Sequence, residues 1–557
     1  MSKKFNPNND LLFVPLGGSG EIGMNLNLYC CDGKWIMVDL GMTFADEFSP
    51  GIDLVFPDTA FIEERREDLL AIVLTHGHED HIGAVPYLWE RFKVPIYCTA
   101  FTAELVRGKL AEVGLLDIVP IHVVKAGDEI NLAPFEVTYV PLAHSIAEGH
   151  GLKIKTHQGT IFHTGDFKLD DAPIIGPKCP SDILKAIGDE GVLAMVGDST
   201  NVFNKEESGS EGDVLTSMME LVGKIDGRIA VTTFASNVAR LDTIGQVAKA
   251  HGRDVVLLGR SMLRIVAAAK STGYLKNFPR IVDEKHANDL PKNKILMLCT
   301  GCQGEPRAAL SRIARDDHRH VSLNKGDTVI FSSKMIPGNE ITLGHLFNTL
   351  VLRDVNIITE KDEFVHVSGH PGQPELKRMY EWVRPHIAIP VHGEHRHLKK
   401  HSDFASSIGV KKTFAPKNGD IIAIRHDGAF LIDTAPHGRL VVDGKVIVSS
   451  GNDAIVERRR ISSNGLVSVG VILNDDGALV AEPLIMCNGI PGDIDSINDQ
   501  FLDASESALE RMKAKHRLDD KAVEEAVRIA IRRRARTDLG KNPVVDVLIT
   551  REEDIDF

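Results

Sequence analysis

Residues 69–74, Leu-Leu-Ala-Ile-Val-Leu, run straight into Thr75-His76-Gly77-His78-Glu79-Asp80-His81. An uninterrupted apolar run of this kind reads as a strand buried on both faces, as in layered α/β proteins. At its end, period-two alternation sends His76, His78 and Asp80 to one side, and the turn into a helix at Ile82 brings His81 round. A solvated polar loop gives no reason for this order of residues. Imidazoles and a carboxylate at such spacing are what divalent cations bind.

Two zinc ions that keep open positions need roughly six nitrogen or oxygen ligands. The other candidates also stand at strand ends: His144 after Phe135–Pro141, Asp166 in His-Thr-Gly-Asp after 160–163, and His392 after 386–391. Asp39 closes 34–38 and is placed to orient ligands or bound water from behind. His163 competes with Asp166, but it lies inside its strand and reads as structural.

Around this motif, strands are expected at 34–39, 71–75, 95–99, 135–141, 160–163 and 193–197, with a helix over 101–114. From about Gly209 the rhythm changes. Residues 228–233, 254–258, 294–299, 328–332 and 355–359 read as buried parallel strands, and 238–251, 261–272 and 306–315 as helices between them. The expected layout is a layered α/β domain in two pieces, 1–208 and 365–450, interrupted by a second α/β domain at 209–364. The polar stretch 451–465 reads as a linker. Residues 466–557 read as a small α+β domain, with strands at 466–473 and 544–549 and helices at 503–515 and 520–536.

Composition narrows the class. A chain of 557 residues, 43% hydrophobic and 25% charged, is globular and long enough for several cores. Residues 1–13 hold no apolar run of leader length, and no stretch of roughly 18 apolar residues occurs, so a cytoplasmic protein with no membrane partner is expected. The seven cysteines, sparse and odd in number, read as reduced thiols. Cys299-Thr-Gly-Cys302 has no second CxxC and reads as buried small residues. Gly18-Ser19-Gly20-Glu21-Ile22-Gly23 has dinucleotide-binding spacing, but 24–29 alternate with period two. A strand follows where that motif requires a helix, so the glycines read as a hairpin turn.

The His-x-His-x-Asp-His motif with a later His, an Asp and a distant His resembles the metallo-β-lactamase fold, an αββα sandwich. The resemblance implies two zinc ions, one on His76, His78 and His144 and one on Asp80, His81 and His392, bridged by Asp166, with manganese or magnesium as substitutes. About 170 residues separate Asp198 from the His cluster at 366–370. An insertion there is similar to the β-CASP branch, whose members cleave nucleic acids. The phrases LGGSGEIGMN, THGHEDHIGA, TGDFK, TFASN, TGCQGEP, SSKMIPGNE and HVSGHPG further resemble the bacterial ribonuclease J family over essentially the whole chain. That resemblance implies a zinc-dependent ribonuclease acting 5′→3′ on 5′-monophosphorylated single-stranded RNA and also cutting internally. It implies roles in mRNA turnover and rRNA maturation, and assembly as dimers or tetramers.

In such chemistry the leaving 3′ oxygen needs a proton. His370 is the candidate general acid, with Asp198 orienting or charging it and Asp80 completing the catalytic set. His366-Val367-Ser368-Gly369-His370 offers imidazoles, a hydroxyl and a close backbone approach. Phe234-Ala235-Ser236-Asn237 opens a helix, where free N–H groups favour anions. Ser332-Ser333 and Pro337-Gly338-Asn339 add similar groups. Each alone reads as a cap or turn; together, and with the resemblance, they imply a pocket for a 5′ phosphate and adjacent nucleotides. Gln303-Gly304-Glu305 contacts a base or orders that pocket.

Three rival readings remain: a β-CASP nuclease acting on DNA or only as an endonuclease, an RNA-binding scaffold without turnover, and a small-molecule hydrolase. The complete ligand set argues against the scaffold, and the insertion against the small-molecule hydrolase. A net charge of −14 excludes coating of nucleic acid by a basic surface. Residues 366–412, however, carry eight Lys+Arg against four Asp+Glu, and seven of the 23 His, so a local cationic cleft is expected. Arg528, Arg532, Arg533, Arg534 and Arg536 on 520–536 form either a solvated face or an RNA or subunit contact.

Overall fold

The computed structural model describes residues 10–45 and 49–552, so the first nine residues of the 1–13 stretch read for a leader lie outside the described residues. The chain divides into two compact units, Met1–Thr43 with Phe56–Gly438, and Phe44–Val55 with Arg439–Phe557.

The first unit is built on two facing sheets. One has eight strands, in the order Gly428–Thr434, Asp420–Arg425, Leu11–Gly17, Leu26–Cys31, Lys34–Val38, Leu69–Val73, Ile96–Thr99 and Ile121–Val124. The other has seven: Glu129–Leu132, Phe135–Pro141, His150–Thr156, Gly159–His163, Ala194–Asp198, Ile387–Val391 and Lys412–Thr413. Phe13, Tyr29, Ile36 and Val73 from the first meet Phe135, Val137, Ile154 and Ile389 from the second in one buried core. The outer face of the second sheet packs Phe162, Met195 and Ala388 against Leu184 and Ile187 of the helix Ser181–Glu190 and Leu376, Met379 and Val383 of the helix Gln373–Val383. Leu69–Val73 is central and almost fully buried, which explains its continuous apolar sequence.

The second piece of the sandwich is keyed in by register. Ile387–Val391 lies parallel to Ala194–Asp198, pairing Asp198 with Val391, so a chain that departs after Asp198 returns beside it. The glycine cluster at 18–23 turns the antiparallel hairpin between Leu11–Gly17 and Leu26–Cys31. Ser19 and Gly20 also pair with Gly393 and Glu394, next to His392.

The excursion forms a six-stranded, all-parallel sheet, ordered Ile281–Val282, Asp254–Leu258, Ile295–Cys299, Ile229–Thr232, Thr328–Phe331 and Asn356–Ile358. Separate apolar cores cover its two faces. Its helices Val238–Ala250 and Arg260–Ser271 stand close to expectation. The helix expected at 306–315 is only Ala309–Ala314. Gly301 and Gly304 take positive φ (115° and 79°), and the residues up to Ala308 form turns.

The second unit has a three-stranded sheet in which Leu466–Leu473 pairs antiparallel with Leu484–Asn488 and parallel with Val544–Arg551. Helices Ile494–Arg511 and Asp520–Leu539 bury Phe501, Val523, Val527 and Ile531 against it. The stretch expected to be a linker, 451–465, is instead largely the helix Asp453–Asn464. Asn452 caps it by accepting from Ala454 N (3.0 Å), and Gly465 ends it at φ 82°. Its turn-like appearance came from the two caps; the residues between favour helix, and Ile455 anchors them. On the basic helix, Arg528 pairs with Glu524 and Glu525 and Arg534 with Asp538, within the helix itself.

Candidate metal centre

Four strand ends of the first unit converge at one edge of the sandwich. Leu69–Val73 delivers His76, His78, Asp80 and His81; Phe135–Pro141 delivers His144; Gly159–His163 delivers Asp166; Ile387–Val391 delivers His392. All seven candidate ligands meet there. His76, His78, His144 and Asp166 form one group and Asp80, His81, Asp166 and His392 another, each with its ligand atoms within 4.8 Å of one another. Asp166 belongs to both. Its Oδ2 lies 3.1 Å from His81 Nε2 and 3.8 Å from both His76 Nε2 and His144 Nε2, and its Oδ1 lies 2.8 Å from His392 Nδ1.

The donors fit a cation. His144 Nδ1 donates to the Gly369 carbonyl (2.6 Å), which leaves Nε2 as a lone pair. That lone pair faces His78 Nδ1 at 3.0 Å, and the same Nδ1 faces His76 Nε2 at 3.1 Å. Burial holds all three imidazoles neutral, His78 at about 4 and His76 and His144 well below their ordinary value. Three neutral rings thus aim ring nitrogens at one point. In the other group burial also pulls His81 and His392 down, but Asp166 and Asp80 overcome it, raising His81 well above its ordinary value and His392 to about 10. The same two carboxylates supply the negative charge that a bound cation would balance. His392 Nε2 is buried without a hydrogen bond and points at Asp80 Oδ2, 3.2 Å away.

The supporting residues fix ring orientation. His81 donates from Nδ1 to Asp39 Oδ2 (2.7 Å), and Asp39 accepts from the amide and hydroxyl of Thr75. Asp39 and His392 hold left-handed backbone, φ 65° and 54°. His163 stays apart, bonded to the Tyr29 hydroxyl (2.8 Å) in the core. Beside the centre, His370 donates from Nδ1 to Asp198 Oδ2 (2.7 Å). Burial lowers His370, yet the charge and hydrogen bond of Asp198 raise it above the ordinary histidine value. Asp198 is fully buried and accepts from Thr200 N.

The expected phosphate loops are linked through Arg240, which sequence reasoning missed. Fully buried on the helix Val238–Ala250, it pairs with Glu211 (3.0 Å) and donates to Ser332 Oγ (2.6 Å) and the Val365 carbonyl (3.0 Å). It thereby ties together the segments of Asn237, Ser332 and His366. Asn237 caps its own helix, accepting from Arg240 N. Val367 is core, and Gly369 lies against His144. Gln303 Oε1 accepts from Ile336 N (2.9 Å) and Asn339 Nδ2 (3.1 Å), so Gln303 orders the loop that carries Gly338. Phe234, Ala235, Ser236 and Ser333 are at least partly buried beside this network. His366 Nδ1 is buried without a partner; burial and then Arg240, Lys168 and Lys334 keep the ring neutral. Asn25, also missed, places its amide nitrogen 3.1 Å from His81 Nε2. Cys299 and Cys302 are buried, and burial pushes both thiols to about 12.

Comparison with known proteins bears directly on this arrangement. Residues 35–184 match a β-lactamase superfamily domain and 354–416 a Zn-dependent metallo-hydrolase RNA specificity domain. Residues 226–350 match the ribonuclease J β-CASP domain, and 453–552 the ribonuclease J C-terminal domain. A Sinorhizobium meliloti protein named Ribonuclease J is 42% identical over 549 residues, covering 97% of each chain. The chain belongs to the ribonuclease J family. Other relatives of that name come from Synechocystis (37% identical, 86% of this chain and 76% of the relative) and Thermus thermophilus (36%, 84% of each). A solved Enterococcus faecalis protein of unknown function shares the fold, with TM-score 0.51 at 15% identity over 74% of this chain and all of that one. The family's metallo-β-lactamase and β-CASP domains therefore account for the sandwich and its parallel-sheet insertion. Among the described residues, no helix is long and apolar enough to cross a membrane.

Proposed function

We propose that the two donor groups sharing Asp166 carry out 5′→3′ removal of nucleotides from 5′-monophosphorylated single-stranded RNA, with internal cleavage as a second activity. As a ribonuclease J family member the chain is a metal-dependent ribonuclease. In this reading His76, His78 and His144 hold one zinc ion and Asp80, His81 and His392 a second, with Asp166 serving both and manganese or magnesium as substitutes. Divalent cations so bound supply Lewis-acid activation of water and neutralise phosphodiester charge.

The chain's own residues do the rest. Asp39 keeps His81 aimed, and the Gly369 carbonyl keeps the lone pair of His144 facing inward. Asp198 holds the Nδ1 proton of His370 and favours its charged form, so His370 delivers a proton from Nε2 to the departing 3′ oxygen. The unpartnered Nδ1 of His366, near Arg240, Lys168 and Lys334, together with Ser368 and the loops at 234–237, 332–333 and 338–339, receives the 5′ phosphate and the nucleotides behind it. The cellular reading is mRNA turnover and rRNA maturation in the cytoplasm, by dimers or tetramers.

The observation that carries this reading is the Asp198–His370 pair standing beside donor groups joined at Asp166. Matched RNA and DNA oligonucleotides bearing 5′ mono- or triphosphate test it. Laddered digestion of RNA, slowed by the triphosphate, is expected. Equal digestion of DNA, or indifference to the 5′ end, overturns it.

A further inference from the structure

A separate group of metal-type donors stands at the opposite rim of the same sandwich. Cys31 Sγ, Asp32 Oδ2 and His157 Nδ1 gather with all ligand atoms within 4.8 Å of one another. His157 Nδ1 is central, 3.8 Å from Cys31 Sγ and 3.7 Å from Asp32 Oδ2. The two strands that lead from this group run to the metal centre: Lys34–Val38 starts just after Asp32 and leads to Asp39, and Gly159–His163 starts just after His157 and leads to Asp166. At about 3.3 Å per residue each strand spans roughly 16 Å, so the groups are separate.

Both segments are short hairpin turns, one from each sheet. Asp32 and Gly33 take φ 49° and 77°, the left-handed pair favoured in a two-residue turn, and the strands on either side pair antiparallel, Cys31 with Lys34. His157 and Gln158 likewise join His150–Thr156 to Gly159–His163, where Thr156 pairs with Gly159. Such turns hold ligands with little freedom left to lose. Tetrahedral zinc bond lengths require about 3.6 Å between a thiolate sulfur and an imidazole nitrogen, and about 3.3 Å between that nitrogen and a carboxylate oxygen. The observed separations exceed these by only a few tenths of an ångström.

We propose that Cys31, Asp32 and His157 form a third metal site, which takes a zinc-class divalent cation with water in the remaining position and clamps the two sheets together at the rim away from the catalytic cleft. The mixed sulfur, nitrogen and oxygen set suits zinc and disfavours magnesium or calcium. Burial pushes the Cys31 thiol up to about 11. Binding as the thiolate releases the thiol proton to solvent.

Cobalt separates this site from the catalytic one, whose donors are all histidine and aspartate: of the donors in the two sites, Cys31 alone carries a thiolate that gives a charge-transfer absorption with cobalt, and its loss in Cys31→Ser assigns the band among the seven free cysteines. The full-length chain, stripped and reloaded with cobalt, is expected to show that band and to hold one more ion than the Cys31→Ser, His157→Ala or Asp32→Asn variant. Each variant should bind the extra ion more weakly by more than about tenfold, the loss that follows removal of even an outer partner of a metal. The histidine–aspartate cobalt bands and ribonuclease activity should persist. His157 and Asp32 are exposed, so their variants test the site without disturbing the core. Equal ion counts in all four proteins, no thiolate band in the parent, or a band that survives in His157→Ala overturns the proposal.

Discussion

His370 illustrates how much a single residue's neighbours decide. A surface histidine in a glycine-rich loop titrates near its ordinary value and does nothing in particular. Here a fully buried Asp198 accepts its Nδ1 proton and raises its affinity for a second. Replacing His370 by Ala is expected to lower kcat by about 10²–10⁴-fold, the usual worth of a positioned general acid. Bound metal, measured by elemental analysis, should stay unchanged, because His370 is not needed to complete either donor group. Asp39→Asn should behave in the opposite way. It weakens the charged partner that fixes His81, so metal affinity should fall about 10–100-fold, read by chelator competition, with activity restored at excess metal. Asp39 and the seven donors were legible in the sequence because each directly ends or closely follows a strand whose apolar pattern is plain, whereas His370 follows no strand and was read from its glycine-rich motif and the family resemblance. Arg240 was not. A lone arginine inside an amphipathic helix looks like solvent-facing charge, and only the tertiary fold reveals that Glu211, Ser332 and the Val365 carbonyl surround it.

At the scale of elements, that buried pair makes a distinct claim. Arg240 joins the helix Val238–Ala250 to the end of Thr328–Phe331 and to the segment leading into His366, so it sets the spacing of three loops at once. Removing one partner leaves a buried charge unpaired, which costs about 3–5 kcal/mol. Glu211→Gln should therefore lower the denaturant midpoint sharply. Arg240→Met strands the buried Glu211 carboxylate in turn, so it should lower the midpoint comparably, and it should raise KM for RNA because the loops lose their common anchor. The strands read from apolar runs in the two sheets lie within about two residues of their expected bounds, whereas the half-exposed Ile121–Val124 and Glu129–Leu132, and His150–Thr156, were not read. Helices were less so. Residues 306–315 carry a helical pattern that the turns at Gly301 and Gly304 cut short. The helix Asp453–Asn464 looked like a linker because one buried residue, Ile455, is too little to write a periodic stripe.

For the molecule as a whole, acid should be more damaging than the net charge suggests, because histidines are held neutral inside the first unit. His401 is the clearest case: it is fully buried on the helix His395–Ser407, between the Ser199 and Tyr380 hydroxyls at 2.9 Å each, and donates to none of the proposed metal ligands. Burial holds its pKa at about 4, against 6.5 for an exposed histidine. Between these values the unfolded chain binds a proton that the folded chain refuses, so stability rises with pH across the window and is fully present above about 6.5. As pH falls from 7.5 to 5, this one residue should remove about 2 kcal/mol, approaching about 3 kcal/mol by pH 4. His401→Gln keeps a neutral hydrogen-bonding group in the same place and cannot take up the proton. Its urea midpoint should lie below the parent's at pH 7.5, yet fall less steeply on acidification, so that the two curves approach one another near pH 5. Parallel curves for parent and variant would show that His401 is not the group that titrates. The site ligands are a poor choice for this comparison, since any metal they hold changes with pH at the same time; His401 isolates the fold's own response.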